Sequence, residues 1–279
     1  MGVRIVTDSA CDLPRTTLDA NDIDVVPLTI RFGEEEFTDG VDLSSAEFWK
    51  RCRTSPRLPE TAAPAPGAFA DAYARAEAEG CDGVVVITLS SALSATHQAA
   101  AVAADTFGGA VPVEVVDSKM VTATQGLLCL DAAELAATGA SAAAVAERVR
   151  GRIADAGLVG VIDTMDHLVK GGRVGGAKAL VGSLLSVKPI LSIRDGVVVE
   201  DGRQRTRARA LEHLATRAAA AAPFDWLAVA GGDAKDLDVV VERMAGVATA
   251  HSLLVTEIGP VVGTHAGPGI IGVCWLRRR

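Results

Sequence analysis

Short runs of Val, Ile and Leu alternate along the chain with longer stretches rich in Ala, and the two carry different periods. The short apolar runs, bounded by Gly, Asp or Pro, predict strands at 3–7, 24–30, 83–89 and 113–116. Between them, helices are predicted at 14–21, 45–54, 67–80, 95–107, 123–138 and 141–156, the last with Ser141 as its N-cap. Past Gly157 a second set follows, with strands at 158–162, 188–193, 197–200, 226–231, 252–257 and 270–275. Helices at 165–170, 176–186, 206–222 and 235–245 accompany it. Such repetition of strand and helix is the pattern of an α/β protein. The chain divides into two units, 1–157 and 158–279, without a Pro/Ser-rich linker between them.

Composition narrows the possibilities. Of 279 residues 49% are apolar but only 4% aromatic, and 35 acidic against 27 basic residues give a net charge of −8. The apolar share excludes disorder, and the chain is long enough to bury a core without metal or disulfide staples. The negative balance argues against a general nucleic-acid binder, and the shortage of aromatic rings against a base-stacking platform. Five scattered cysteines without metal-ligand spacing predict reduced, structural thiols in a cytoplasmic protein. The opening apolar run is too short for a signal peptide, and the stretch 179–193 is broken by Gly182, Lys188 and Pro189, so no membrane-spanning segment is expected.

In an open α/β sheet ligands gather beyond the carboxyl ends of the strands, so the loops there carry the candidate chemistry. Ser90-Ser91-Ala92-Leu93-Ser94-Ala95-Thr96 joins a strand to a helix, where hydroxyls and free N–H groups suit an anion or simply cap the helix. Three prolines stiffen the turn 59–67 around the Thr61 hydroxyl, either as an ordinary surface loop or to present that group. Lys170-Gly171-Gly172-Arg173-Val174-Gly175-Gly176 lacks the spacing of a phosphate loop, yet Arg173 is suited to a carboxylate or phosphate. His265 stands in the Gly-rich turn 263–269, while His97, His167, His213 and His251 read as structural. Four arginines between Arg203 and Arg209 form a solvated face or a local patch for an acidic partner. A hydrolytic triad of Ser94, His265 and Asp8 is conceivable in chain order, but the nucleophile elbow GxSxG is absent.

Taken together, several segments resemble the DegV family of bacterial proteins. They are Val6-Thr7-Asp8-Ser9-Ala10-Cys11-Asp12-Leu13-Pro14, Val25-Val26-Pro27-Leu28, the serine-rich loop 90–96, Val116-Asp117-Ser118-Lys119, Leu168-Val169-Lys170-Gly171-Gly172-Arg173, Val187-Lys188-Pro189-Ile190 and 260–269. The resemblance spans the chain in order. It implies two α/β lobes with mostly parallel sheets and a ligand buried in the interlobe region. It further implies a non-catalytic binding subunit, with no cofactor, that holds a long-chain fatty acid for a separate kinase subunit to phosphorylate. On this resemblance Thr61 and Ser94 bind the carboxylate, Arg173 and His265 border it, and Arg205 faces the kinase. The alternatives are a Ser/His/Arg-dependent hydrolase or phosphate-handling enzyme, and a binder of another amphipathic acid. Two departures stand out. Thr61-Ala62-Ala63-Pro64 replaces the family's Thr-Ser-Gln-Pro, which removes polar support, and Ala95 replaces a glycine, where a Cβ would narrow the head-group site or shift the backbone.

Overall fold

The computed structural model describes residues 2–180 and 187–279 and contains three sheets. In chain order its elements begin β1 (Val3–Asp8), α1 (Arg15–Ala20), β2 (Ile23–Val26), β3 (Thr29–Phe32), β4 (Glu35–Thr38), α2 (Ser45–Thr54), β5 (Glu60–Ala62) and α3 (Pro66–Ala78). Then come β6 (Gly83–Thr88), α4 (Thr96–Thr106), β7 (Val113–Asp117), α5 (Ala123–Ala137) and α6 (Ala142–Arg152). The remainder comprises β8 (Ala156–Val161), α7 (Asp166–Lys170), β9 (Lys188–Arg194), β10 (Val197–Gln204), α8 (Arg207–Ala219), β11 (Phe224–Gly232), α9 (Leu237–Met244), β12 (Leu254–Glu257), α10 (Pro260–Ala266) and β13 (Ile270–Arg277). The helix expected at 176–186 begins as a short 3-10 segment, Gly175–Leu180, and the rest of that span lies outside the described residues. Among the described residues no helix is long and apolar enough to cross a membrane.

The first sheet, ordered β2-β1-β6-β7, is parallel throughout. β6 is buried along its whole length because both of its faces are covered, which is why Gly83-Val84-Val85-Val86-Ile87-Thr88 is a continuous apolar run. Val84 and Val86 pack with Phe69 and Tyr73 of α3, whereas Val85 and Ile87 turn toward α5.

The second sheet corrects one expectation. Its order is β10-β9-β8-β13-β11-β12, and only β11 and β12 run parallel; the other four pairs are antiparallel. The α/β class holds, but parallel pairing dominates only the first sheet. Asp195 and Gly196, both at positive φ, close β9 onto β10 in a two-residue turn, which forces an antiparallel pair. β13 then inserts between β8 and β11, antiparallel to both.

A third, three-stranded antiparallel sheet, β4-β3-β5, differs from what the pattern predicts. The single strand expected at 24–30 is two strands in two sheets. Pro27 has no N–H for a ladder, and the Leu28 N–H donates instead to Ser9 Oγ at 3.0 Å.

α5 lies between the two larger sheets and touches β1 and β6 on one side, β8, β11 and β13 on the other. Twelve of its fifteen residues are buried, so it shows no polar face. The main apolar core runs from the first sheet through α5 to one face of the second.

Candidate functional site

One face of β8 and β13 looks toward α5 and α10. Leu158, Gly160 and Ile162 share it with Ile270, Gly272 and Cys274, while the intervening Val159, Val161, Ile271 and Val273 pack under α8. Over the first face lies a cavity of about 120 Å³. Leu28, Leu89, Leu93 and Val121 from the first half of the chain close it, together with Val261, Val262 and Ala266 of the α10 segment. Its lining is almost entirely aliphatic, and its polar side chains include Thr61, Ser94, Arg173 and His265. The four residues singled out from the sequence therefore line one cavity.

Each is placed by a different element. Thr61 sits on β5, where the prolines had suggested an irregular loop, and Ile30 of β3 pairs with it. His265 lies in the last turn of α10, where the glycines had suggested a turn; Pro260 opens this helix and Gly267, at φ 78°, ends it. Trp49 of α2 holds the approach to α10 by donating its indole N–H to the Ile258 carbonyl at 3.2 Å. Thr61 Oγ1 and His265 Nε2 are 2.9 Å apart. Arg173 donates from Nε to the Leu93 carbonyl at 3.1 Å and from Nη1 to the Gly171 carbonyl at 2.6 Å, which joins its loop to the serine-rich one. Ser94 Oγ accepts the Thr96 N–H at 3.3 Å and lies 2.9 Å from Thr96 Oγ1. Ser94 thus closes a local turn just before α4, whose N-cap position is Ala95, and also stands in the cavity wall.

Burial pushes the His265 imidazole down to about 4, and the positive Arg173 and neighbouring His167 push it the same way. The ring is therefore neutral at pH 7. Its Nδ1 is buried without a partner. Gly171 makes room for it: a Cβ there would lie 2.4 Å from Nδ1 and 3.0 Å from the His167 carbonyl.

Thr61, Arg173 and His265 also line a second, polar cavity of about 590 Å³ on their other side. This vestibule includes Arg57, Lys170, His167 and Glu60, with Pro56 and Pro59 stiffening its rim. The three side chains thus form a partition between an aliphatic interior and a wet, cation-bearing exterior. Arg57 and Lys170 are exposed there. His167, set aside as structural, donates Nδ1–H to the Thr264 carbonyl at 3.0 Å and also faces the vestibule.

Other candidates separate from this site. Arg205 is exposed and does not line either cavity. Arg203 is held by Glu200, and Arg207 by Asp236 in a two-point pair, so the arginine run is partly an internal ion-pair system. Asp8 spends its carboxylate on the N–H groups of Leu89 and Ala10, and His265 faces Thr61, so the Ser94–His265–Asp8 hydrogen bonds of a triad are not those formed. Ala95 is exposed with φ −73°, an ordinary conformation, so its Cβ neither narrows the site nor bends the backbone.

The aliphatic lining carries no signal of its own in the sequence, because Leu93, Val262 and Ala266 have the character of ordinary core residues. Thr122 also lines the cavity without a sequence signal, and donates to buried Asp12 at 2.6 Å.

The profile of a family described as "Uncharacterised protein, DegV family" matches residues 2–278. A DegV domain-containing protein of Streptomyces coelicolor is 37% identical, with 97% of each chain covered. Among solved structures, a DegV family protein from Thermus thermophilus, described for its fatty acid binding, superposes with a TM-score of 0.89 at 30% identity over 99% of this chain and 100% of its own. DegV of Bacillus subtilis, described as a fatty acid binding protein, superposes with a TM-score of 0.87 at 28% identity over the whole of both chains.

Proposed function

The chain belongs to the DegV family, and on that premise we propose that it binds a long-chain fatty acid and presents the carboxylate to a separate kinase subunit for phosphorylation to an acyl phosphate. The observation that carries this reading is the partition: an aliphatic cavity ends at Thr61, Arg173 and His265, and a polar vestibule begins on their far side. An amphiphile with one anionic end fits such a boundary. The fatty acid binding described for the Thermus and Bacillus relatives supports the same ligand class.

In this reading the neutral His265 donates Nε2–H to Thr61 Oγ1, which leaves the Thr61 hydroxyl proton for the ligand carboxylate. Ser94 supplies a second hydroxyl and Arg173 a fixed positive charge. The acyl chain supplies the affinity: about 14 methylenes at roughly 0.8 kcal/mol each give on the order of 11 kcal/mol before costs. Association takes back about 4 kcal/mol or more. Each hydrogen bond to the charged head contributes only about 1.5–3 kcal/mol, so the polar residues orient the ligand more than they retain it. The chain itself then needs no nucleophile, because the kinase acts on the carboxylate through the vestibule. Arg205, exposed on the stretch after β10, belongs to the kinase-facing surface. The five cysteines are free, which suits a cytoplasmic location, and the lobes divide near residue 157.

Purified protein is expected to carry a fatty acid visible by mass spectrometry of its organic extract. Ser94→Ala and Thr61→Val are each expected to lower affinity for palmitate by about tenfold. Acyl phosphate should form only when a fatty acid kinase subunit and ATP are both added. A protein with no affinity for palmitate or oleate would overturn the reading, and turnover of an acyl ester by the chain alone would replace it with an enzyme.

A further inference from the structure

Two glycines stand side by side on the cavity face of the second sheet. Gly160 of β8 and Gly272 of β13 are direct cross-strand partners. Both line the cavity. Along the strands they fall between Ile162 and Ile270 on one side and the Leu158–Cys274 pair on the other. Ile270 and Ile162 lead toward α10 and α7, which flank the polar partition, so a chain entering from His265 crosses the glycine pair before it reaches Leu158 and Cys274.

Glycine inside a strand weakens it, and is kept where φ is left-handed or where another part of the protein or a ligand comes close. Neither residue has the left-handed φ that favours glycine. Neither makes room for another part of the protein. The nearest atom to a Cβ built on Gly160 is the Ile271 carbonyl oxygen at 3.6 Å, and on Gly272 the Val159 carbonyl oxygen at 3.7 Å, both ordinary contacts. Gly157, on the same strand, shows the contrast: its Cβ would strike the Trp275 ring at 2.7 Å. What a methyl at 160 or 272 would occupy is the cavity itself.

We infer that the Gly160–Gly272 pair determines which acyl chains this protein accepts, by keeping the cavity wide at that depth. This rests on the fatty acid reading above. A straight saturated chain has the smallest cross-section, whereas a cis double bond bends the chain and sweeps out more width. The pair therefore provides for a bent or branched chain, and one added methyl group turns the cavity into a straight-chain site.

The test uses delipidated full-length protein, palmitate, and the cis-monounsaturated oleate as probes, with calorimetric titration and thermal unfolding as readouts. In Gly160→Ala and Gly272→Ala the ratio of oleate to palmitate affinity is expected to fall tenfold or more. The midpoint of thermal unfolding without ligand should stay level or rise, because alanine restricts the unfolded chain and meets no clash. Gly151→Ala, a helix position with nothing within 4 Å of the added Cβ, makes the same chemical change elsewhere and should leave the ratio as it is. An unchanged ratio in a stable Gly160→Ala or Gly272→Ala variant would overturn the inference. So would a drop of several degrees in the ligand-free midpoint, which would assign the glycines to packing. Failure of the unmodified protein to bind either acid would instead remove the fatty acid reading beneath it.

Discussion

Thr61 and His265 are 204 positions apart in the chain, yet their side chains meet at 2.9 Å. Burial holds the pKa of this imidazole down to about 4, and Arg173 and His167 beside it act in the same direction. Its ordinary value is near 6.5, so the native state favours the neutral ring. The sign follows: the contribution is fully present above pH 6.5 and is lost as pH falls toward 4. Histidine NMR of the ligand-free protein should show the His265 ring unprotonated at pH 5.5, where a free imidazole is largely charged. A ring that titrates with a midpoint near 6.5 would contradict this. Both residues were legible as candidates, Thr61 from the prolines and family motif around it and His265 from its glycines. Their pairing was not, because nothing local in sequence encodes a contact between β5 and α10.

Among the elements, α10 carries His265 and, with Val261, Val262 and Ala266, part of the cavity wall, and its start is tied to the first half of the chain by Asp12. Asp12 accepts the Gly259 N–H at 2.9 Å on Oδ1 and the Thr122 hydroxyl at 2.6 Å on Oδ2, and its carbonyl oxygen accepts the Thr256 hydroxyl. Burial drives this carboxyl up to about 8, against hydrogen bonds that pull it down, and burial raises Asp8 and Asp39 to about 6. A carboxyl raised on folding binds its proton more tightly in the native state, so stability falls as pH climbs from about 4 to about 8. Between pH 6 and 8 Asp12 is the main contributor of the three. Urea unfolding in that window should show a decline of up to about 1.4 kcal/mol per pH unit. Asp12→Asn, which has no proton to lose, should flatten the decline; an equal slope in both proteins would refute the assignment. At this scale the regular strands and the long helices were readable from period alone. The hairpin of β9 and β10 carried its own signal in Asp195-Gly196, whereas β4 and β5 are too short and polar to show a period. α10 was masked by glycines whose effect is felt only at its end, where Gly267 stops it.

For the whole molecule, the consequence of α5 is that the two larger sheets share one core. Its buried faces touch β1 and β6 as well as β8, β11 and β13. A fragment of residues 1–157 would expose the side of α5 that β11 and β13 cover, and is expected to be insoluble or to unfold without cooperativity. The alternation of apolar runs made the α/β class legible but not the threading of the second sheet, because two of its four antiparallel pairs depend on β13 inserting between β8 and β11. Likewise the apolar composition could not separate core from cavity wall. The distinction lies in a few positions, Gly160 and Gly272 among them, where space is left unfilled.

The central claim is that a fatty acid lies in this cavity with its carboxylate at Thr61, Ser94, Arg173 and His265. Carbon NMR of palmitate labelled at the carboxyl carbon tests it most directly. One sharp bound resonance is expected, distinct from the free acid, that shifts in Ser94→Ala and again in Thr61→Val. A bound resonance unmoved by either substitution, or the free-acid signal alone, would contradict it.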